Sequence, residues 1–165
     1  MIDALDRSLF SEDHHAFRDT VRKVLDTVIA PRMDAHEHDG VVEREAWSKV
    51  GEAGLLCPQV PEAYGGPGLD FAFNAIVGEE LSYMGSAAGF TLQSDIVADY
   101  LVHYGSEEQK KRYLPGMVAG TTISAIAMTE PNAGSDLQGM KSIARKDGNG
   151  WRLSGSKTYI TNGQT

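Results

Sequence analysis

A single cysteine, Cys57, rules out an internal disulfide framework and any zinc site built from several thiolates, and leaves a buried structural thiol as its expected role. No uncharged apolar run approaches the ~20 residues needed to span a bilayer, and the opening MIDALDRSLF lacks a basic leader followed by an apolar core. The expected setting is therefore the cytoplasm, or the mitochondrial matrix if the source is eukaryotic. Cations are few: Lys and Arg number 15 against 23 Asp and Glu, for a formal net charge of -8. The short cluster Lys110, Lys111, Arg112 follows two acids, so nothing offers a groove that tracks phosphates, and nucleic acid is not an expected partner. His14, His15, His36, His38 and His103 form no HExxH and have no partner cysteines, and read as exposed polar residues rather than metal ligands. Ser135 stands in AGSD rather than GxSxG, which argues against a serine hydrolase. The glycine-rich GGPG at 65–68 is not framed by a strand before and a helix after, so it is neither a dinucleotide fingerprint nor a P-loop.

What is present is a chain of 165 residues, 41% hydrophobic, enough to bury the core of one domain or one and a half. Over residues 11–30 the apolar positions Phe17, Val21, Val24, Leu25 and Val28 fall at helical spacing, with Ser11 as cap, Glu12 and Asp13 in the first turn and Pro31 as breaker. A second helix is predicted over about 43–53, burying Trp47 and Val50 and stopping at Gly54. LLCPQVPEAYGGPGL reads as loop. Asp70 caps a third helix reaching about Met84. A fourth, over about 87–104, is predicted to bury Ile96, Val97, Tyr100, Leu101 and Tyr104. Ser106 and Gln109 have capping-box spacing for a fifth helix ending at Gly120, with Pro115 bending it.

Beyond Gly120 the period changes. Residues 121–128 are rich in β-branched side chains, and two further strand-like runs, near 141–146 and 151–156, flank the turn sequence DGNG. The fold class expected is α+β: an N-terminal all-α domain over 1–120, then the start of an antiparallel β-domain over 121–165. Between the two regimes lies AMTEPNAGSD. Gly134, with Ala133 beside it, lets the backbone approach a ligand, and nearby N–H groups with the Ser135 hydroxyl offer donors for a phosphate or a carbonyl oxygen. Glu130 and Asp136 would repel a phosphate and are better suited to bracing the loop through backbone N–H groups or a basic partner. On these residues alone, an ordinary tight turn and a binding loop remain equally open.

TEPNAGSD, preceded by AIAM and followed by DLQGMKSIARKDGNGWRLSGSKTYITNG, closely resembles the signature region of acyl-CoA dehydrogenases. GLLCPQVPEAYGGPGLD, GEELSYMGSAAGFTLQSDIV and YGSEEQKKRYLPGMVAGTTISAIAMTEP resemble, in order, the family's helix-to-loop region, its acyl-pocket helices and the joint into its middle domain. The resemblance covers essentially the whole chain, and IAMTEP, GSDLQG and SDIV are most like the long-chain branch. It implies FAD as cofactor, dehydrogenation of an acyl-CoA thioester to a trans-2-enoyl-CoA, an electron-transfer flavoprotein as acceptor and a homotetramer. It also implies that the sequence stops within the middle domain, truncated ahead of a C-terminal helical domain that carries the catalytic carboxylate. No glutamate here is promoted to replace it, and the 165 residues alone are expected to be inactive and poorly soluble.

Carried over by position, Ile126, Met128 and Thr129 match the strand end that contacts the flavin ring, and Ser135 matches the hydroxyl shared by cofactor and acyl-CoA. Within YITNG, Tyr159 stands where relatives commonly have a tryptophan against the isoalloxazine, Ile160 follows it, and Thr161 matches the hydroxyl near flavin N5. Tyr159 departs from the pattern: it keeps a flat face and adds a polar tip needing a partner. By itself it reads as a half-buried strand aromatic. Glu79, Glu80, Gln93, Ser94 and Asp95 lie near the implied acyl channel, with solvated or capping roles expected. Alternatives sharing the motifs are an acyl-CoA oxidase, a flavin monooxygenase on the same scaffold, or a noncatalytic binding or assembly protein.

Overall fold

The structure is a computed structural model and describes residues 9–165; most of the opening stretch on which the lack of a leader was read lies outside them. Helix α1 (Glu12–Val24) starts where Ser11 accepts from the His14 amide, with the His14 ring returning the bond to the Ser11 N–H. Pro31 does not stop this helix. The chain widens into a π-helical turn at Leu25–Ile29, tightens to a 3₁₀ turn at Ala30–Arg32, and continues as α2 (Met33–Asp39) until Gly40 at φ +68°. Proline lacks an N–H and crowds the carbonyl four residues back; the wide turn, in which the Ala30 N–H reaches Leu25 O, absorbs both defects.

Helix α3 (Arg44–Glu52) buries Trp47 and Val50 as expected. The loop after it is not surface: Leu55, Leu56, Cys57 and Val60 are wholly buried, and the short 3₁₀ turn Glu62–Tyr64 follows. Burial pushes the Cys57 thiol up to about 12, the inert state of a packed sulfur. Helix α4 (Phe71–Met84) is capped by Asp70, which accepts from the Ala72 N–H, and packs along α1.

The fourth predicted helix begins near Phe90 and is π-helical over Leu92–Val97 before α5 (Ala98–Tyr104). A wide turn shifts the following positions by one residue, about 100° around the axis. The expected inward face is corrected accordingly: Ile96, Tyr100 and Tyr104 are exposed, while Phe90, Gln93, Ser94 and Ala98 are buried. Gln93 sets that register. It donates to Met117 O at 2.9 Å and accepts from the Ser124 N–H at 2.8 Å, needs that only an inward position satisfies. Helix α6 (Glu107–Val118) carries the predicted Ser106–Gln109 capping box. The core gathers between these helices, with Trp47 edge-on to Phe90 at 4.6 Å between centroids.

Residues 121–128 form no strand, because no described segment pairs with them. The two later runs do pair, β1 (Ile143–Asp147) antiparallel to β2 (Gly150–Ser154), closed by a two-residue turn with Gly148 at φ +58° in its first position. Both strands are exposed throughout. No described helix is long and apolar enough to cross a membrane.

Candidate functional site

Ser124 is tied to Gln93, and after it the amides of residues 125–129 donate to no other described residue. At Glu130 the chain turns back, Glu130 and Ala133 exchanging backbone bonds at 2.9 and 3.1 Å around Pro131 and Asn132. TEPNAGSD is thus a tight turn. Its acid braces it, as the sequence suggested: the buried Glu130 carboxylate receives the amides of Lys141 (2.7 Å) and Ser142 (2.9 Å) and the Lys157 ammonium (3.0 Å). The Ser142 hydroxyl, those two amides and Lys157 together hold its pKa down at about 2. The sign follows: the contribution is complete above the ordinary 4.5 and is lost as pH falls through about 2. A stability difference between the native protein and Glu130→Gln should therefore be largest above that range and shrink on acidification, as followed by denaturant midpoints across the acid range.

Lys157 also donates to Met128 O at 2.9 Å, and the Thr158 N–H to Thr129 O at 3.1 Å. These bonds lay the segment 157–162 beside residues 128–130. Of the residues singled out from the sequence, Met128, Thr129, Tyr159, Ile160 and Thr161 are brought together on this short stretch. Tyr159 is not a half-buried strand aromatic. It lies outside any strand at φ +54° and is 93% exposed, its ring offered to whatever covers it. Ile126 is half-buried. Ser135 is exposed on the turn; its carbonyl accepts from the Leu137 N–H.

Two cavities meet at Thr161. The larger, about 780 Å³, lies between α2 and the segment 159–165, with Met33, His36, Val42, Gly89 and Tyr159 among its walls. The smaller, about 520 Å³, lies between α4 and the Leu92–Val97 turn, walled by Gly78, Leu81, Ala88, Leu92 and Asp95. Gly89 and Thr161 line both. Burial raises the Asp95 pKa, partly offset by a 2.8 Å bond from the Asn74 amide, which also bonds Gln59.

Sequence reasoning missed several polar residues that shape this site. Glu80, expected to be solvated or capping, is buried and ion-paired to Arg18 at 2.6 Å and to Arg22 at 2.8 Å, fixing α4 on α1. Glu79 meets Arg18 at 2.8 Å. Ser94 accepts from the Cys57 N–H at 3.0 Å, and Gln59 donates to Ser94 O. His14 is buried and His36 half-buried rather than exposed; His36 meets Glu43 at 2.5 Å across the loop between α2 and α3. Their partners lie on other elements, so only the arginines at i and i+4 of α1, facing adjacent acids on α4, left any trace in the sequence.

Known proteins resemble the chain throughout. Residues 11–121 match the family described as acyl-CoA dehydrogenase, N-terminal domain, and residues 125–165 the one described as acyl-CoA dehydrogenase, middle domain. The mitochondrial long-chain specific acyl-CoA dehydrogenase of Sus scrofa is 50% identical over 158 residues, 95% of this chain and 37% of that protein. Among solved structures, an acyl-CoA dehydrogenase from Geobacillus kaustophilus superposes with a TM-score of 0.90 at 45% identity, covering 95% of this chain and 42% of the other. A glutaryl-CoA dehydrogenase of Mycobacterium smegmatis in complex with FADH2 does so at 0.83 and 32%, covering 93% and 40%. The chain thus spans 37% of the length of the long-chain specific acyl-CoA dehydrogenases of Sus scrofa and Mus musculus.

Proposed function

The chain belongs to the acyl-CoA dehydrogenase family, and on that premise we propose that it forms the flavin-facing part of an FAD-dependent enzyme that converts an acyl-CoA to its trans-2-enoyl thioester. One observation carries the reading. The amides of residues 125–129, which donate to no other described residue, run beside a fully presented aromatic ring at Tyr159 and a hydroxyl at Thr161 that lines two cavities.

That donor set fits FAD. An isoalloxazine has carbonyl and ring-nitrogen acceptors along one edge and a flat apolar face, and needs backbone donors at the first and an aromatic surface at the second. Ile126, Met128 and Thr129 supply the donors, Tyr159 the surface, and Ile160 and Thr161 the approach to the ring. Ser135, on the exposed turn, is assigned to the contact shared with acyl-CoA. When bound, FAD supplies the acceptor for the hydride that leaves the β-carbon as the α-proton is removed. The protein residues orient the two reactants and place donors where negative charge develops, each worth about 3 to 4 kcal/mol when preorganised. The smaller cavity is the fitting place for the acyl chain, walled by Leu81, Ala88 and Leu92.

No carboxylate described here is assigned to the α-proton: Glu80 and Glu130 are locked in ion pairs. We assign residues 1–120 to a helical domain and 121–165 to the flavin-facing β-region, joined at Gly120. The same reading extends to an electron-transfer flavoprotein as acceptor, a homo-oligomer, and the mitochondrial matrix or cytoplasm as setting.

The test is direct. The gently purified protein should be yellow or should quench the fluorescence of added FAD on titration. A colourless protein that takes up no flavin on titration overturns the proposal. Within it, Thr161→Ala should weaken flavin uptake about tenfold, the loss of one well-placed hydrogen bond of ~1.4 kcal/mol, read from the same titration.

A further inference from the structure

The segment 159–161 is tied at one end through Lys157 and Thr158. At the other end Asn162 sits at φ +63°, a left-handed conformation that asparagine tolerates better than most side chains. Its side-chain amide donates to two carbonyls from different parts of the fold. Gly89 O, in the loop ahead of the π-helical turn, lies at 3.1 Å, and Ser124 O, where the backbone leaves the helical layer, also at 3.1 Å. Both neighbours are acceptors, and an NH₂ group has two hydrogens to give, so the match is complete. Gly89 is shaped for the same contact from its side. A Cβ there would lie 2.3 Å from Asn162 Oδ1 and 2.7 Å from Thr161 Cγ2, so only a glycine lets the two segments close to this distance.

We infer that Asn162 is a positioning residue: its amide bridges Gly89 and Ser124 to hold Thr161 at the junction of the two cavities, fixing the flavin-facing segment relative to the acyl cavity. Three observations carry it, namely the pair of donated bonds, the left-handed backbone, and the glycine across the contact. Gly89 and Thr161 are both common to the two cavities, so the bridge lies on the line that separates them. The flavin arm of the inference rests on the function proposed above; the bridge itself does not.

Two substitutions separate the side chain from the backbone. Asn162→Gly keeps the left-handed conformation and removes both bonds. Asn162→Asp keeps the shape but turns a carboxylate toward two carbonyl oxygens, replacing attraction by repulsion. In the purified protein, the Thr158 and Gly163 amides, which donate to Thr129 O and Ile160 O, report on the segment by hydrogen exchange. Exchange at Gly163 should quicken in both variants, most in the aspartate, while helical circular dichroism and the thermal midpoint stay close to those of the native protein. FAD affinity should fall about tenfold in the glycine variant and further in the aspartate, the first corresponding to the loss of ~1.4 kcal/mol.

The order matters more than the size: a merely space-filling asparagine would make aspartate the milder change. Native exchange at Gly163 in Asn162→Asp, or native flavin affinity in both variants, overturns the inference. If the native protein itself takes up no flavin, the functional reading falls, and the exchange measurement alone decides whether the bridge exists.

Discussion

Replacing Glu80 by glutamine is expected to cost about 3 kcal/mol of unfolding free energy, the lower end of what breaking a buried ion pair typically costs. Glu80 retains 6% of its side-chain exposure and Arg18 11%, with 2.6 Å between their charged atoms. Glutamine preserves the volume and one acceptor but leaves the Arg18 guanidinium buried beside a neutral group. Glu79, 2.8 Å from the same arginine nitrogen and 30% exposed, restores part of the compensation, which is why the low end applies. Glu79→Gln, by contrast, should cost about 1 kcal/mol, since the more exposed pair is better screened.

The measurement is the urea midpoint at constant slope for both variants. A Glu80 variant within about 0.5 kcal/mol of the native protein would show that water already reaches the pair. Replacing Arg18 and Glu80 together by leucine should cost less than the sum of the two single changes, because neither buried charge is then left facing a neutral group, although Glu79 and Arg22 each give up an ion pair. The consequence reaches the site through α4, whose residues Gly78, Leu81 and Ser82 wall the smaller cavity.

Local chemistry was legible in the sequence, and pairing was not. Ser11, Asp70 and Ser106 cap helices by reaching amides two or three residues away, so their roles are written in short stretches of sequence. The wide turns after Val24 and at Leu92–Val97 depend on how a proline or a buried glutamine finds partners, and Gln93 has them at 117 and 124. A periodicity argument therefore extended the regular helix and turned Tyr100 and Tyr104 inward. Residues 121–128 carry strand-like side chains, yet a strand exists only where another pairs with it.

At the candidate site the bracing role of Glu130 could be inferred from charge alone, because a second acid beside a donor-rich loop must face donors of its own. The grouping of Thr129 with residues 159–161 came only through family resemblance. The bonds that create it, Lys157 to Met128 and Thr158 to Thr129, join positions 29 residues apart, and no local rule reaches that far.

Gly120→Ala should be among the most damaging single-methyl changes, costing about 3 kcal/mol or more. Two penalties coincide there. The residue sits at φ +71°, where any Cβ costs about 1 to 2 kcal/mol. The added carbon would also stand 2.1 Å from the Trp47 carbonyl oxygen and 2.6 Å from its carbon, backbone atoms of α3 that cannot swing aside as a side chain would. Gly51 makes the reciprocal approach, with a Cβ there 2.4 Å from the Ala119 carbonyl carbon, so α3 and the end of α6 touch backbone to backbone. Gly40→Ala is the matched control, since φ is +68° and nothing lies within 4 Å of the new carbon. It should lose only the conformational share, about 1 kcal/mol. The difference between the two midpoints isolates the contact, and equal losses would refute it. Because Gly120 also begins the segment that Gln93 holds through Met117 and Ser124, a displaced joint should carry the free amides of residues 125–129 away from Tyr159. Flavin affinity should then fall in Gly120→Ala and stay native in Gly40→Ala.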